Sequence, residues 1–162
     1  MAELSPGGRL LSELILEVFR VNRLLLDAGD ELAAPAGLSS ARWQVLGVVE
    51  HGPITAASVA RIMGLTRQAV QRTADGLEAD GLIAYRPNPH HRRAQLLTLT
   101  AKGREALDTV QERHAEWANR LAESYSPEAL QAVLATLRRV RDDLNPGGIT
   151  REEEGLHGSQ PR

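Results

Sequence analysis

Thr55-Ala56-Ala57-Ser58-Val59-Ala60-Arg61-Ile62-Met63-Gly64-Leu65-Thr66-Arg67-Gln68-Ala69-Val70-Gln71-Arg72 is the stretch on which the fold turns. Thr55 stands where a helix cap belongs, with Ser58 three residues on and Ile54 placed as a hydrophobic staple. Val59, Ile62 and Met63 form a short apolar face. Gly64 falls where a left-handed C-cap belongs, and Thr66 caps a second helix running to about Ala79, with Gly81 as its stop. Two short helices joined by a tight glycine turn make a helix-turn-helix.

Downstream the period changes from helical to alternating. Leu82–Arg86 and Gln95–Thr100 read as two short strands, and Pro87–Arg93 links them as a polar, basic tip. Helix-turn-helix plus hairpin is a winged helix. Long helices frame it. Residues 10–28 carry Leu10, Leu11, Leu14, Ile15, Val18, Phe19, Val21, Leu24, Leu25 and Leu26, a pattern wider than one amphipathic stripe. Such a helix needs two surfaces to bury against; a second subunit is one, a larger intramolecular core the other. Pro35–Leu38 reads as a loop, and Ser39 or Ser40 caps a helix to about Glu50 with Trp43, Leu46 and Val49 on one face. Thr100 caps a helix over about Ala101–Ser124, striped by Leu107, Val110, His114, Trp117 and Leu121. Ser126-Pro127-Glu128 opens the last helix, which ends at Asn145-Pro146-Gly147-Gly148. The expected fold class is mainly α (α+β): a single domain over 10–144, a winged-helix lobe over about 38–100, flanking helices over about 10–28 and 101–144, and a polar tail over 145–162.

Composition sharpens the function classes. The chain has 162 residues, no cysteine and a formal net charge of −2. Without thiols, disulfides, cysteine catalysis, thiol redox sensing and cysteine-ligated metal sites are excluded. The net charge argues against nucleic acid until it is divided by segment. Residues 61–104 hold eight Lys/Arg against three Asp/Glu, a local +5, and the remainder carries −7. A basic stretch inside an acidic protein marks a polyanion partner, or a solvated face with an excess of arginine. No apolar run reaches the ~20 residues a membrane span needs. Met1–Gly8 lacks the charged and apolar regions of a signal peptide, so the expected location is the cytoplasm.

On the second helix, Ala69, Val70, Thr73, Ala74 and Leu77 share one side by helical spacing, while Arg67, Gln68, Gln71, Arg72 and Asp75 share the other. Arginine and glutamine can bond base edges or phosphates, and the acids Asp75, Glu78 and Asp80 are confined to the later part. That gradient suits a helix whose N-terminal end enters a major groove; an Arg/Gln-rich solvent face is the alternative. The tip, with His90, His91, Arg92 and Arg93, can lie along a minor groove, or be a solvated hairpin end. The adjacent histidines diverge and have no carboxylate nearby in sequence, which disfavours a metal, and no cofactor is expected. No nucleophile elbow, phosphate-binding glycine loop or metal-spaced ligand set is present, so an enzyme is not expected. A winged helix that binds proteins instead of DNA is the alternative function; the basic segment and the Arg/Gln face argue against it.

Several stretches in order resemble the MarR (multiple antibiotic resistance regulator) family: residues 38–46, 59–70, 75–83, 92–94 and 97–103, with the likeness spanning about 10–144. The resemblance implies a homodimeric winged-helix repressor of transcription on a pseudo-palindromic operator of double-stranded DNA. Its first, fifth and sixth helices would form the dimer interface. Thr66, Arg67, Gln68, Gln71 and Arg72 would serve the major groove, Arg93 the minor groove, and Arg61, Arg86 and Arg92 the phosphates, with His90 and His91 in the wing. His91 stands where the family's wing carries Asp, which leaves the wing more cationic and would let DNA affinity rise as pH falls. The resemblance also implies a small aromatic or anionic effector, for which Arg20, Arg23, Trp43, His51 and Trp117 are the candidate lining groups. Each has a plainer reading, the tryptophans as core and the arginines as salt-bridge partners. His114, on the stripe of Trp117, reads as a packed core or interface histidine.

Overall fold

A computed structural model describes residues 3–89 and 93–145. Helix α1 spans Pro6–Ala33, α2 Ser40–Val49, α3 Ala56–Met63, α4 Arg67–Ala79, α5 Ala101–Ala122 and α6 Pro127–Leu144. Strands β1 (Ile54–Thr55), β2 (Ile83–Arg86) and β3 (Leu96–Leu99) form one antiparallel sheet in the order β1-β3-β2. The register pairs Tyr85 with Leu97 on one side of β3 and Ile54 with Leu97 on the other. This is the expected winged helix with flanking helices.

Side-chain caps set most boundaries. Thr55 Oγ1 accepts from the Ser58 amide (3.1 Å), Thr66 Oγ1 from Ala69 (3.2 Å), Thr100 Oγ1 from Gly103 (3.0 Å) and Ser126 Oγ from Ala129 (3.2 Å). Each satisfies an amide the helix start leaves unpaired. Ser39 is the cap of α2, not Ser40. Gly64 adopts φ 65°, the left-handed conformation that turns α3 into α4 within three residues.

Three boundaries differ from the sequence reading. Helix α1 begins at Pro6, capped by Ser5, and runs on to Ala33 rather than Ala28. Pro35 lies in a 3-10 turn, Ala34–Ala36. Ile54 and Thr55 form a third strand beside β3 as well as preceding α3.

The core lies inside the winged-helix lobe. Val45, Leu46, Val49, Val59, Val70, Leu77, Ile83, Leu97, Leu107 and Val110 are fully buried there. Helix α5 starts on the sheet: the Thr100 amide donates to the Leu82 carbonyl (3.1 Å), and Gly103 packs against that carbonyl so closely that no Cβ fits. Glu50, at the end of α2, accepts from Arg104 Nη1 (3.1 Å) and Gln111 Nε2 (2.9 Å), two turns apart on α5. Helix α1 joins the lobe by its C-terminal end, where Gly29, Leu32 and Ala33 are buried, the Leu32 carbonyl accepts from Arg113 Nε (3.1 Å), and Asp30 accepts from the Ser40 amide (2.6 Å).

Outside that end α1 is bare. Leu10, Leu11, Ile15, Leu16, Phe19, Leu24 and Leu25 are all exposed, Phe19 by 69%. Helix α6 buries no residue, and Leu130, Val133 and Leu134 face solvent. Monomeric soluble proteins rarely expose an apolar surface of this extent.

Candidate nucleic-acid interface

Helix α4 is held against the lobe by Val70, Ala74 and Leu77, all buried, so its opposite face is turned outward by the helical repeat. Arg67, Gln68 and Arg72 are exposed on it. No acid lies in its first turn. The free amides of that turn add partial positive charge to the arginines. Arg61, on α3, is exposed and donates to Ser58 Oγ (3.3 Å), and Arg86 is exposed at the end of β2. His90, His91 and Arg92 lie outside the described residues.

The hairpin lies beside α4 through its outgoing strand β2. A cleft of about 710 Å³ is lined by Arg67 and Gln71 of α4, Thr55 and Ala57 before and within α3, and Tyr85, Asn88, Arg93 and Gln95 of the wing. Arg67 and Arg93, 26 positions apart in sequence, thus border one opening. A second hollow of about 400 Å³ lies between α2 and α4, lined by Ser39, Arg42, Arg72, Thr73, Gly76 and Asp80. There Arg42 forms an ion pair with Asp80 and donates to the Gly76 carbonyl (3.3 Å), while Lys102 Nζ donates to the Asp80 carbonyl (2.8 Å). The acidic end of α4 is therefore occupied by the protein's own cations, and its basic end is turned outward.

Gln71 departs from the expected open face. It is half-buried, and its Nε2 donates to Asp75 Oδ1 (2.8 Å) and to Tyr85 Oη (2.7 Å). Tyr85 donates to the same carboxylate oxygen (2.6 Å). The Tyr85 hydrogen bond, then that of Gln71, holds the Asp75 carboxyl below the usual aspartate range. Burial, reinforced by Asp75, pushes the Tyr85 phenol up. The sequence reading left out Tyr85. Its signal is the i,i+4 spacing of Gln71 and Asp75 followed by an amphipathic aromatic on the next strand, but the contact itself depends on how β2 lies along α4.

The candidate effector groups separate. Trp43 of α2 meets the His114 ring of α5 edge-on (centroids 5.2 Å apart), and His114 lies 5.9 Å from Trp117. Both tryptophans are half-buried, Trp43 packed against the core, and His114 is exposed between them. Arg20 and Arg23 pair within α1, with Glu17 (3.1 Å) and Asp27 (3.0 Å). His51 lies in the turn beyond the C-terminal end of α2, away from Trp43 in its first turn, with its Nε2 3.9 Å from Glu50. Among the described residues no group of three or more His, Asp or Glu could hold a metal, and no helix is long and apolar enough to cross a membrane.

Comparison with known proteins agrees with this geometry. The family model described as MarR family matches residues 36–94. The Mycobacterium tuberculosis protein Rv2011c is 43% identical over 130 residues, covering 80% of this chain and 91% of that protein. Sco5413 of Streptomyces coelicolor, a MarR family transcriptional regulator, superposes with a TM-score of 0.71 at 26% identity, over 85% of this chain and 97% of that one. The transcriptional repressor CouR, solved bound to a 23-mer DNA duplex, superposes with a TM-score of 0.72 at 28% identity, over 86% of this chain and 99% of that one. A capped helix-turn-helix, a basic wing beside it and these likenesses agree: the chain belongs to the MarR family of winged-helix transcription regulators.

Proposed function

We propose that this regulator is a homodimeric repressor that binds a pseudo-palindromic operator, with half-sites about one helical turn, roughly 10 bp, apart. One observation carries the DNA reading: the outward basic end of α4 and Arg93 of the wing border a single cleft, so one lobe offers a major-groove helix and a minor-groove arginine together. Arg67, Gln68, Gln71 and Arg72, with Thr66 at the cap, serve the major groove; Arg93 enters the minor groove. Arg61, Arg86 and Arg92 serve the phosphates, and His90 and His91 belong to the same wing. The bare apolar faces of α1 and α6 support dimerisation, since a second copy buries both.

Repression acts by occupying the promoter. A small aromatic anion relieves it by favouring a dimer whose lobe spacing does not fit the operator. The Trp43–His114–Trp117 cluster supports an aromatic ligand at the junction of lobe and α5. Arg20 and Arg23 can supply charge only by leaving Glu17 and Asp27, and His51, beyond the far end of α2, lies too far off to share a ligand of one ring.

A mobility-shift titration on the promoter of the protein's own gene tests the reading. Specific binding at nanomolar concentration, two chains per duplex, is expected. Binding no tighter than to an unrelated duplex at the same salt refutes it.

A further inference from the structure

Gln71 lies in the middle of the reading face, yet it is not a free side chain. The hydrogen-bond chemistry around it leaves one assignment. An ionised carboxylate has no proton, so Asp75 Oδ1 can only accept, and the atom 2.8 Å from it must be the amide nitrogen of Gln71. Tyr85 gives its single proton to the same carboxylate oxygen (2.6 Å). The tyrosine oxygen then has only lone pairs for Gln71, so the 2.7 Å contact also takes an amide hydrogen. The nitrogen of Gln71 therefore faces two acceptors 2.6 Å apart and is turned toward them rather than outward. What remains for a ligand is the carbonyl oxygen Oε1, an acceptor.

A free glutamine in the major groove takes adenine by two bonds, accepting from N6 and donating to N7. The tethered one can make only the first. Adenine and cytosine each present an exocyclic amino group in the major groove; guanine and thymine present acceptors there. We propose that Gln71 reads its base as an acceptor alone, taking the amino group of adenine or cytosine and rejecting guanine and thymine, and that Tyr85 is the positioning residue that enforces this. The inference rests on α4 lying in the major groove. The low Asp75 pKa and the raised Tyr85 pKa keep the network in this protonation state across the working pH range.

The test uses the full chain and an operator selected from random duplexes, with every base then tried at every position in a binding titration. One position per half-site should bind A and C alike and lose roughly 5- to 150-fold with G or T. With adenine there, replacing it by 7-deazaadenine, which lacks the N7 acceptor, should leave affinity unchanged. Replacing it by purine, which lacks the amino group, should also weaken binding, though less than guanine, whose O6 opposes Oε1. Gln71→Ala should abolish the preference at that position and no other. Tyr85→Phe frees one amide hydrogen, so adenine should come to exceed cytosine and 7-deazaadenine should now weaken binding. A 7-deazaadenine penalty in the wild-type chain overturns the proposal, as does a Gln71→Ala chain with unaltered base preferences. The analogue titrations need no variant, so a Tyr85→Phe chain that fails to fold does not shield it. A wild-type chain that binds no duplex overturns the operator reading as well; one that binds with a different analogue pattern overturns this inference alone.

Discussion

Gly103→Ala is expected to destabilise the protein although it replaces glycine by the best helix former in the first turn of α5. In an unconstrained helix interior that exchange stabilises by about 1 kcal/mol. Here the added methyl would overlap the Leu82 carbonyl oxygen and sit 2.9 Å from both the Leu82 carbonyl carbon and Leu99 Cδ1, inside the 3.0 Å that Cβ atoms respect. The overlapping atom is backbone, so relief requires α5 to lift from the β2–β3 end of the sheet. That movement strains the Thr100 amide bond to the same carbonyl and the hydroxyl bonds of Thr100 to the Gly81 and Leu82 carbonyls (2.8 and 3.0 Å). Overpacking of this kind costs ~1–3 kcal/mol, and loosening buried hydrogen bonds adds ~1 kcal/mol or more. After the propensity gain is set against it, the net loss is about 1–3 kcal/mol. For a chain of this size that is a fall in Tm of roughly 2–12 °C. Gly47→Ala is the control: its Cβ would meet nothing within 4 Å, and it lies in the interior of α2, so a gain of about 1 kcal/mol is expected. Thermal denaturation followed by circular dichroism at one fixed protomer concentration reads both. A Gly103→Ala chain as stable as the parent would refute the close-approach argument.

Arg93→Ala should weaken operator binding and reduce the slope of log K against log salt by about one, because one cation that displaces counterions on entering the minor groove is removed; unchanged affinity and slope would dismiss the wing. Phe19→Asp should convert the proposed dimer to monomers in sedimentation, since two-fold symmetry would place two carboxylates per interface and raise Kd by at least roughly 100-fold; a dimer of parental affinity would move the interface elsewhere. In a Tyr125→Phe chain the one remaining phenol, Tyr85, should ionise above the usual tyrosine range, and Asp75→Asn should bring it down; an ultraviolet titration reads this directly. Asp75 titrates below its ordinary value, so the stability it contributes is complete above the usual aspartate range and lost as pH falls through the lowered one. Asp75→Asn should therefore flatten the acid limb of the stability–pH curve, and an identical limb would show that the network carries no linkage.

Local chemistry made the lobe legible. Thr66, Thr100 and Ser126 announce helix starts because a cap is a contact between residues three apart, and Gly64 announces the turn because only glycine accepts its backbone cheaply. The same logic, Ser-Pro at a helix start, is present at Ser5-Pro6, but there the apolar pattern that began at Leu10 set the boundary instead. Strand β1 was invisible because two residues cannot display an alternating period. Gln71 was placed on the correct face and given the wrong freedom: its partner Tyr85 lies fourteen positions away, and helical spacing says nothing about what a neighbouring strand holds out to it. Among the effector candidates, Trp43 and Trp117 are joined through His114, whereas Arg20 and Arg23 pair within α1 and His51 lies beside Glu50.

Glu50 turns the lobe and α5 into a lever. Its carboxylate grips Arg104 and Gln111 two turns apart, so α2 cannot slide or pivot on α5 without losing a bond, and α4 is packed on α2. Helix α5 has 22 residues, an arm of about 33 Å at 1.5 Å per residue. Tilting that arm by about 5° about its far end displaces the lobe by about 3 Å, close to the 3.4 Å rise of a base pair. In the proposed dimer, such arms would register small angular changes at the stem as whole-base-pair errors at the two reading heads.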